Sequence, residues 1–248
     1  MSLVQELFKI GLVPTAALQT QQAVTVADVL EQAGVPCVAL KNPSEEVMAA
    51  FKNRPNFLVG AYVSAEVKNL VAGVQFVLGN EFSSELQALA QKTNIPLIHQ
   101  KDLPGGVFAL DELLTGKSDW QKNVSLHLKK AVQDMLGFHL RHVGINCQDE
   151  AQSSGVADTF ERIFGLPKED RGGAYFAGEI IEVMKKPFYG THGHIAIATN
   201  SAESAAYHLE KAGVKFNWNS AGYNPDGRLR VVYLQDEIGG FAVHILQK

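Results

Sequence analysis

Short apolar runs alternate with helix-like stretches along the first part of the chain. The runs are residues 12–18, 36–41, 56–61, 75–79 and 95–99, and the helix-like stretches are 25–33, 44–51, 65–70 and 83–92. Each run is bounded by Gly, Pro or Asn. Continuous apolar strands that alternate with helices are typical of a parallel sheet covered on both faces. The pattern therefore predicts an α/β layer of about five strands, a partial (βα) barrel-like arrangement that is too short for eight units.

The alternation stops between residues 104 and 119, where glycines and other turn residues surround a short helical pattern at 107–114. Residues 120–135 then have the pattern of a single helix. We expect three segments from these changes: a βα domain at 1–118, a connecting helix at 119–138 and a second domain at 139–248.

The second domain contains an internal repeat. Its first copy begins with His142-Val-Gly-Ile and continues with a helix at 154–163 and strands at 173–177 and 180–184. The second copy begins with His194-Ile-Ala-Ile and continues with a helix at 202–212 and strands at 215–218, 229–234 and 241–246. Two copies of the order strand, helix and further strands predict a duplicated α+β module that packs as a pair.

The composition of the chain limits its partners and the kinds of side chain that could bind a metal. The 248 residues are 46% hydrophobic with a formal charge of -4, which favours neither nucleic acid nor an anionic membrane as a partner. No apolar run has the length of a membrane span, and the first ten residues predict an amphipathic helix and not a signal peptide. We therefore expect a cytoplasmic protein in which Cys37 and Cys147 are free thiols. A metal site would then depend on histidines and carboxylates.

Four such residues occupy matching places in the repeat. His142 and His194 begin the first strands of the two copies, and Glu182 and His244 lie in the last strands. Small residues share the strand face with each of the first two, which leaves room for a ligand. Because the two copies are related by a pseudo-twofold axis, we expect all four side chains to meet around one metal ion.

The nature of these donors limits the metal. Imidazole nitrogens and one carboxylate suit Zn, Ni, Co, Fe or Mn, and they do not suit Ca. We predict one such divalent ion with open positions for a small-molecule substrate, and Glu182 is the candidate catalytic base. Weaker candidates for substrate contacts are Asn146, Tyr175, Lys185, Tyr189, His192 and Arg230.

The second domain resembles the vicinal-oxygen-chelate superfamily, which includes glyoxalase I, extradiol dioxygenases and methylmalonyl-CoA epimerase. The similar stretches are residues 140–146, 181–184, 193–197 and 239–247. The resemblance implies paired βαβββ modules, with metal ligands on the first and last strands at His142, Glu182, His194 and His244. His244 stands where glyoxalase I and the dioxygenases usually carry Glu, so neither of those two activities is implied.

The first domain resembles bacterial 2-keto-3-deoxy-6-phosphogluconate (KDPG) and hydroxyoxoglutarate (KHG) aldolases in residues 12–14, 58–61, 74–78, 82–86 and 95–98. Its catalytic residues do not match that family. Ala39 and Pro43 replace the Glu and Arg of the second strand, and the segment with the Schiff-base lysine is missing. Lys41 does not match that nucleophile. A truncated sheet has exposed edges that a second chain can cover, so we expect a homodimer.

Three functions follow from these patterns. The favoured one is a metal-dependent lyase or isomerase of the glyoxalase/epimerase type, which acts on a small α-hydroxy or α-keto carbonyl compound through a metal-stabilised enediolate. The alternative is a non-catalytic metal- or metabolite-binding protein of the same fold. An active KDPG/KHG aldolase is the least favoured, because such an enzyme needs an amine held beside an acid/base group.

Overall fold

A computed structural model describes residues 2–51, 54–63, 70, 72–115 and 118–248. The chain divides into two compact units, Met1–Leu136 and Gly137–Lys248. Both contain helices and strands, which confirms the prediction of a mixed α/β protein. In the described ranges, no helix is long and apolar enough to cross a membrane.

The first unit is built on a parallel sheet. Its strands are β1 (Val13–Ala16), β2 (Cys37–Leu40), β3 (Leu58–Tyr62), β4 (Phe76–Gly79), β5 (Leu97–His99) and β6 (Val107–Ala109). They lie in the order β5-β4-β3-β2-β1-β6, and every neighbouring pair is parallel. Its helices are α1 (Leu3–Ile10), α2 (Thr20–Gln32), α3 (Glu45–Ala49), α4 (Ser84–Thr93), α5 (Asp111–Leu114) and α6 (Trp120–Leu136), with a 3₁₀ turn at Gln100–Asp102.

Two sequence expectations change in this unit. The stretch 107–114 is not one helix, because Val107–Ala109 forms β6 beside β1 and only Asp111–Leu114 is helical. The sheet consequently has six strands where about five were expected. A three-residue strand joined to one helical turn is too short for periodicity to separate the two. Residues 65–69 of the helix predicted at 65–70 lie outside the described residues.

The second unit repeats one topology twice. The first copy comprises β7 (His139–Asn146), α7 (Glu150–Phe164), β8 (Lys168–Asp170), β9 (Ala174–Ala177) and β10 (Ile181–Met184). The second comprises β11 (Gly193–Thr199), α8 (Ala202–Lys211), β12 (Phe216–Tyr223), β13 (Leu229–Leu234) and β14 (Phe241–Gln247). In the sheet order β12-β13-β14-β11-β7-β10-β9-β8, each copy places its last strand parallel to its first. Antiparallel β7 and β11 join the copies at the centre.

Helices cover one face of this sheet and leave the other for the site. Val183 of β10 is fully buried in a cluster with Cys147 and Ala157, and Ala157 belongs to α7. Ile245 of β14 is 2% exposed, and α8 contacts that strand. Neighbouring residues of a strand point to opposite faces. Glu182 and His244 therefore lie on the face that the helices do not cover.

Helix starts are set by local side chains in both units. Ser44, Ser83, Asp149 and Ser201 precede α3, α4, α7 and α8, and each side chain accepts a hydrogen bond from the backbone N–H three residues later. These caps satisfy N–H groups that have no partner within the helix.

Candidate metal centre

The predicted ligands lie in two rows that run across the strands. In the first row, Glu182 of β10 pairs with Gly144 of β7, which in turn pairs with His194 of β11. In the second row, His142 of β7 pairs with Ala196 of β11, and Ala196 pairs with His244 of β14. Ligand residues and small residues thus alternate from strand to strand. The pseudo-symmetry of the two copies is expressed directly in these rows.

The small residues make room for the rings. A Cβ atom at Gly144 would overlap Cε1, Nδ1 and Nε2 of His194, because the imidazole lies directly over this glycine. The Nδ1 atom of His194 is buried and has no hydrogen-bond partner among the described residues. Packing on Gly144 therefore sets the direction of the His194 ring, whereas a hydrogen bond commonly does so for metal-binding histidines.

Three ligand atoms converge closely. Nε2 of His142 lies 3.2 Å from Nε2 of His194, and Oε2 of Glu182 lies 3.0 Å from the first and 2.9 Å from the second. In the described part of the chain, these three residues form the group whose ligand atoms all lie within 4.8 Å of one another. His194 is 2% exposed, and the other two are partly buried.

Hydrogen bonds alone cannot join all three pairs in this triangle of His142 Nε2, His194 Nε2 and Glu182 Oε2. If both histidines donate from Nε2 to Glu182, two N–H groups face each other across the 3.2 Å contact. If only one Nε2 is protonated, it cannot donate along both of its edges at once. A cation inside the triangle would accept a lone pair from all three atoms. The donor set therefore fits a divalent transition metal.

His142, Glu182 and His194 would hold one ion through three protein atoms, and Lewis-acid chemistry would need further positions on that ion for oxygen atoms of a substrate.

Burial and the neighbouring histidines have opposite effects on the pKa of Glu182. Burial alone would raise the pKa of this carboxyl group, but the hydrogen bonds and charges of His142 and His194 outweigh it and lower the pKa to about 2. Glu182 is therefore a carboxylate at neutral pH, as a metal ligand must be.

His244 stands beside the three converging residues. Its ring centroid lies 5.6 Å from that of His142 and 5.4 Å from that of His194, and it is not part of the convergent group. Burial, together with the charges of His194 and His142, lowers the pKa of His244 to about 3, so the ring is neutral. Its buried Nδ1 has no hydrogen-bond partner in the part of the chain that the structure describes.

Aromatic side chains that sequence reasoning missed surround the four residues. Phe176 pairs with Glu182 across β9 and β10, and its ring lies 6.0 Å from that of His142. Phe188 lies 6.1 Å from the His194 ring, and Tyr233 lies 4.5 Å from the His244 ring. Burial and the charge of Glu182 raise the pKa of Tyr233. Strand alternation gives no signal for any of them without the pairing between strands.

Two of the weaker candidates, Asn146 and Tyr189, lie close to this region. The Asn146 side chain donates from Nδ2 to the carbonyl oxygens of Phe188 and Gly190, at 3.0 and 2.8 Å. Tyr189 packs 4.7 Å from the Tyr233 ring. A third candidate, His192, packs its ring 5.7 Å from the ring of Phe241, and its backbone N–H donates to the Gly240 carbonyl.

The other three candidates face elsewhere. Tyr175 packs in the cluster with Val183 under α7, and its hydroxyl donates to Glu150. Lys185 binds Glu150 and Asp170 at 2.8 and 2.9 Å. Arg230 is exposed and one residue out of phase with Val231 and Tyr233, so it lies on the other face of β13.

Comparisons with known proteins do not assign a family. No protein-family model matches the chain, and no curated protein matches it significantly. A solved 4-hydroxy-2-oxoglutarate/KDPG aldolase is 26% identical over 40% of this chain, with a TM-score of 0.33, and this chain spans about half (52%) of its length. A hypothetical protein from Bacillus halodurans C-125 is 20% identical over 45% of this chain and 95% of its own, with a TM-score of 0.34. Methylmalonyl-CoA epimerase of Streptomyces coelicolor is 14% identical over 44% of this chain and 96% of its own, with a TM-score of 0.33.

Proposed function

We propose that this protein is a metal-dependent lyase or isomerase of the glyoxalase/epimerase type, which acts on a small α-hydroxy or α-keto carbonyl compound. The observation that supports it is the triangle of His142 Nε2, His194 Nε2 and Glu182 Oε2, with edges of 2.9–3.2 Å. These residues would hold one divalent ion of Zn, Ni, Co, Fe or Mn, with His244 as the neighbouring fourth residue.

The ion would supply Lewis-acid stabilisation of the negative charge that develops on substrate oxygens when an adjacent C–H bond loses its proton. Glu182 is the group that would take this proton, because it is the only carboxylate among the four. Because Glu182 would also be a ligand of the ion, its carboxylate would have to detach from the ion before it takes the proton.

Metal analysis of the purified protein tests the site. We expect stoichiometric transition metal in the wild type, and a large loss in His142→Ala and in His194→Ala. His139→Ala is the matched control, since His139 lies on the same strand as His142 but is exposed, and its Nδ1 lies 3.2 Å from the Gly137 carbonyl oxygen. Unchanged metal content in both site variants would refute the assignment.

Proton exchange tests the reaction class. The metal-loaded protein should exchange the α-proton of its carbonyl substrate with D₂O, as followed by NMR across a panel of small 2-hydroxy and 2-oxo compounds. Glu182→Gln, reloaded with the same metal, should lose this exchange. Metal binding without exchange of any compound in the panel would instead favour the non-catalytic alternative.

A further inference from the structure

Two neighbouring aromatic side chains beside the metal centre are exposed. Phe188 and Tyr189 lie in the connection between β10 and β11, each is 45% exposed, and their ring centroids are 4.7 Å apart. Phe188 lies 6.1 Å from the ring of His194, and Tyr189 lies 4.7 Å from the ring of Tyr233. Adjacent exposed rings next to a buried polar centre indicate a surface for a ligand.

The backbone around these rings is held firmly. The Asn146 amide binds the carbonyl groups of Phe188 and Gly190 at 3.0 and 2.8 Å. Gly190 has a φ of 84°, and any Cβ there would overlap the Gly193 carbonyl group. Thr191 donates to Glu237 from both its backbone N–H and its hydroxyl. The rings are thus arranged before a ligand arrives, which reduces the entropy lost on binding.

Two cations of the second unit, Arg171 and Lys185, are already paired with carboxylates. Arg171 lies 4.3 Å over the Phe176 ring and is bound by Glu169 and Glu179. Lys185, three residues before Phe188, is bound by two carboxylates. Neither is free to hold a phosphate group, whereas the exposed rings of Phe188 and Tyr189 offer a flat apolar surface to a ligand.

We propose that the rings of Phe188 and Tyr189 select compounds in which a planar aryl group is attached to the metal-binding oxygens, and that Asn146 is the positioning residue for these rings. The proposal rests on the proposed function, because the oxygens need the metal centre. An aryl group stacked on these rings gains contacts that a methyl group does not.

Hydroxamates of different size test this selectivity, since they share one chelating group. The full chain, loaded with Co(II), is titrated with acetohydroxamate, benzohydroxamate and cyclohexanecarbohydroxamate, and binding is followed by calorimetry and by the Co(II) absorption spectrum. We expect benzohydroxamate to bind about tenfold more tightly than acetohydroxamate and more tightly than the saturated ring. Phe188→Ala, Tyr189→Ala and Asn146→Ala should each reduce this preference severalfold.

Phe164→Ala is the control, because Phe164 is a 67% exposed phenylalanine at the end of α7, and it should keep the full preference. Equal binding of acetohydroxamate and benzohydroxamate by the wild type would overturn the aryl proposal while leaving the metal centre intact. Equal binding of the planar and saturated rings would also overturn it. If acetohydroxamate leaves the spectrum unchanged and releases no heat, the proposed function itself fails. An Asn146→Ala variant with undiminished preference would remove that residue's positioning role.

Discussion

Replacing Gly144 by alanine should change the metal affinity of the protein while leaving its folding stability nearly unchanged. The added methyl group would overlap three atoms of the His194 ring, so the ring must leave its place over β7. The backbone itself tolerates the change, since Gly144 is not among the glycines with positive φ. Alanine also reduces the entropy of the unfolded chain, which is worth about 0.4–1 kcal/mol and offsets the cost of about 0.5–1.5 kcal/mol for a displaced ring.

Stability and metal affinity should therefore respond differently to Gly144→Ala. The melting temperature of the metal-free protein should stay within about 5 °C of the wild type. Loss of a residue that only supports a ligand typically lowers metal affinity about 10- to 100-fold. Because Gly144→Ala displaces the ligand His194 itself, metal affinity should fall by more than about 100-fold. Calorimetric unfolding and competition with a chelating dye measure the two quantities.

Two comparisons make this experiment specific. Gly155→Ala adds a methyl group within α7, where nothing lies within 4 Å, and should raise stability without changing metal affinity. In a double-mutant cycle, Gly144→Ala should have almost no effect on metal affinity once His194→Ala has removed the ring. Wild-type metal affinity in Gly144→Ala, or additive losses of metal affinity in the double variant, would refute the packing of the His194 ring on Gly144.

Other predictions concern the first unit and the assembly. Asp111 accepts hydrogen bonds from Lys41 and from the Ala17 N–H; burial opposes its ionisation, but these contacts lower its pKa. The stabilisation by the Asp111 carboxylate is present above the usual carboxyl pKa and is lost as the pH falls through the pKa of Asp111 in the folded protein. Asp111→Asn should therefore lower the free energy of unfolding at pH 7 and lower it much less near pH 3, as measured by urea unfolding. Equal losses at both pH values would exclude the ion pair as the cause. Light scattering should give a mass of about 54 kDa, twice the 27.0 kDa of the chain, if sheet edges pair as expected; a monomer mass would contradict this. Borohydride with pyruvate should label no lysine, and a labelled Lys41 would reinstate an aldolase.

Position within the repeat was enough to select three residues that the structure brings together. His142, Glu182 and His194 could be found because first and last strands of duplicated modules are equivalent and side chains alternate along each strand. The same reasoning selected His244, which lies beside the group without joining it. Whether a fourth ring comes within ligand distance depends on how the strands twist and pack, and periodicity carries no such information.

The sequence by itself determined the alternation of strands and helices, the duplicated module and the face of each strand that holds a polar residue. Only the tertiary structure decided which residues stand opposite one another. The register between β9 and β10 puts Phe176 beside Glu182 and turns Tyr175 towards α7, and the register between β7 and β11 places Gly144 beneath His194. The physical reason is that a shift of one residue exchanges the two faces of a strand. Contacts between segments far apart in the chain fix that register.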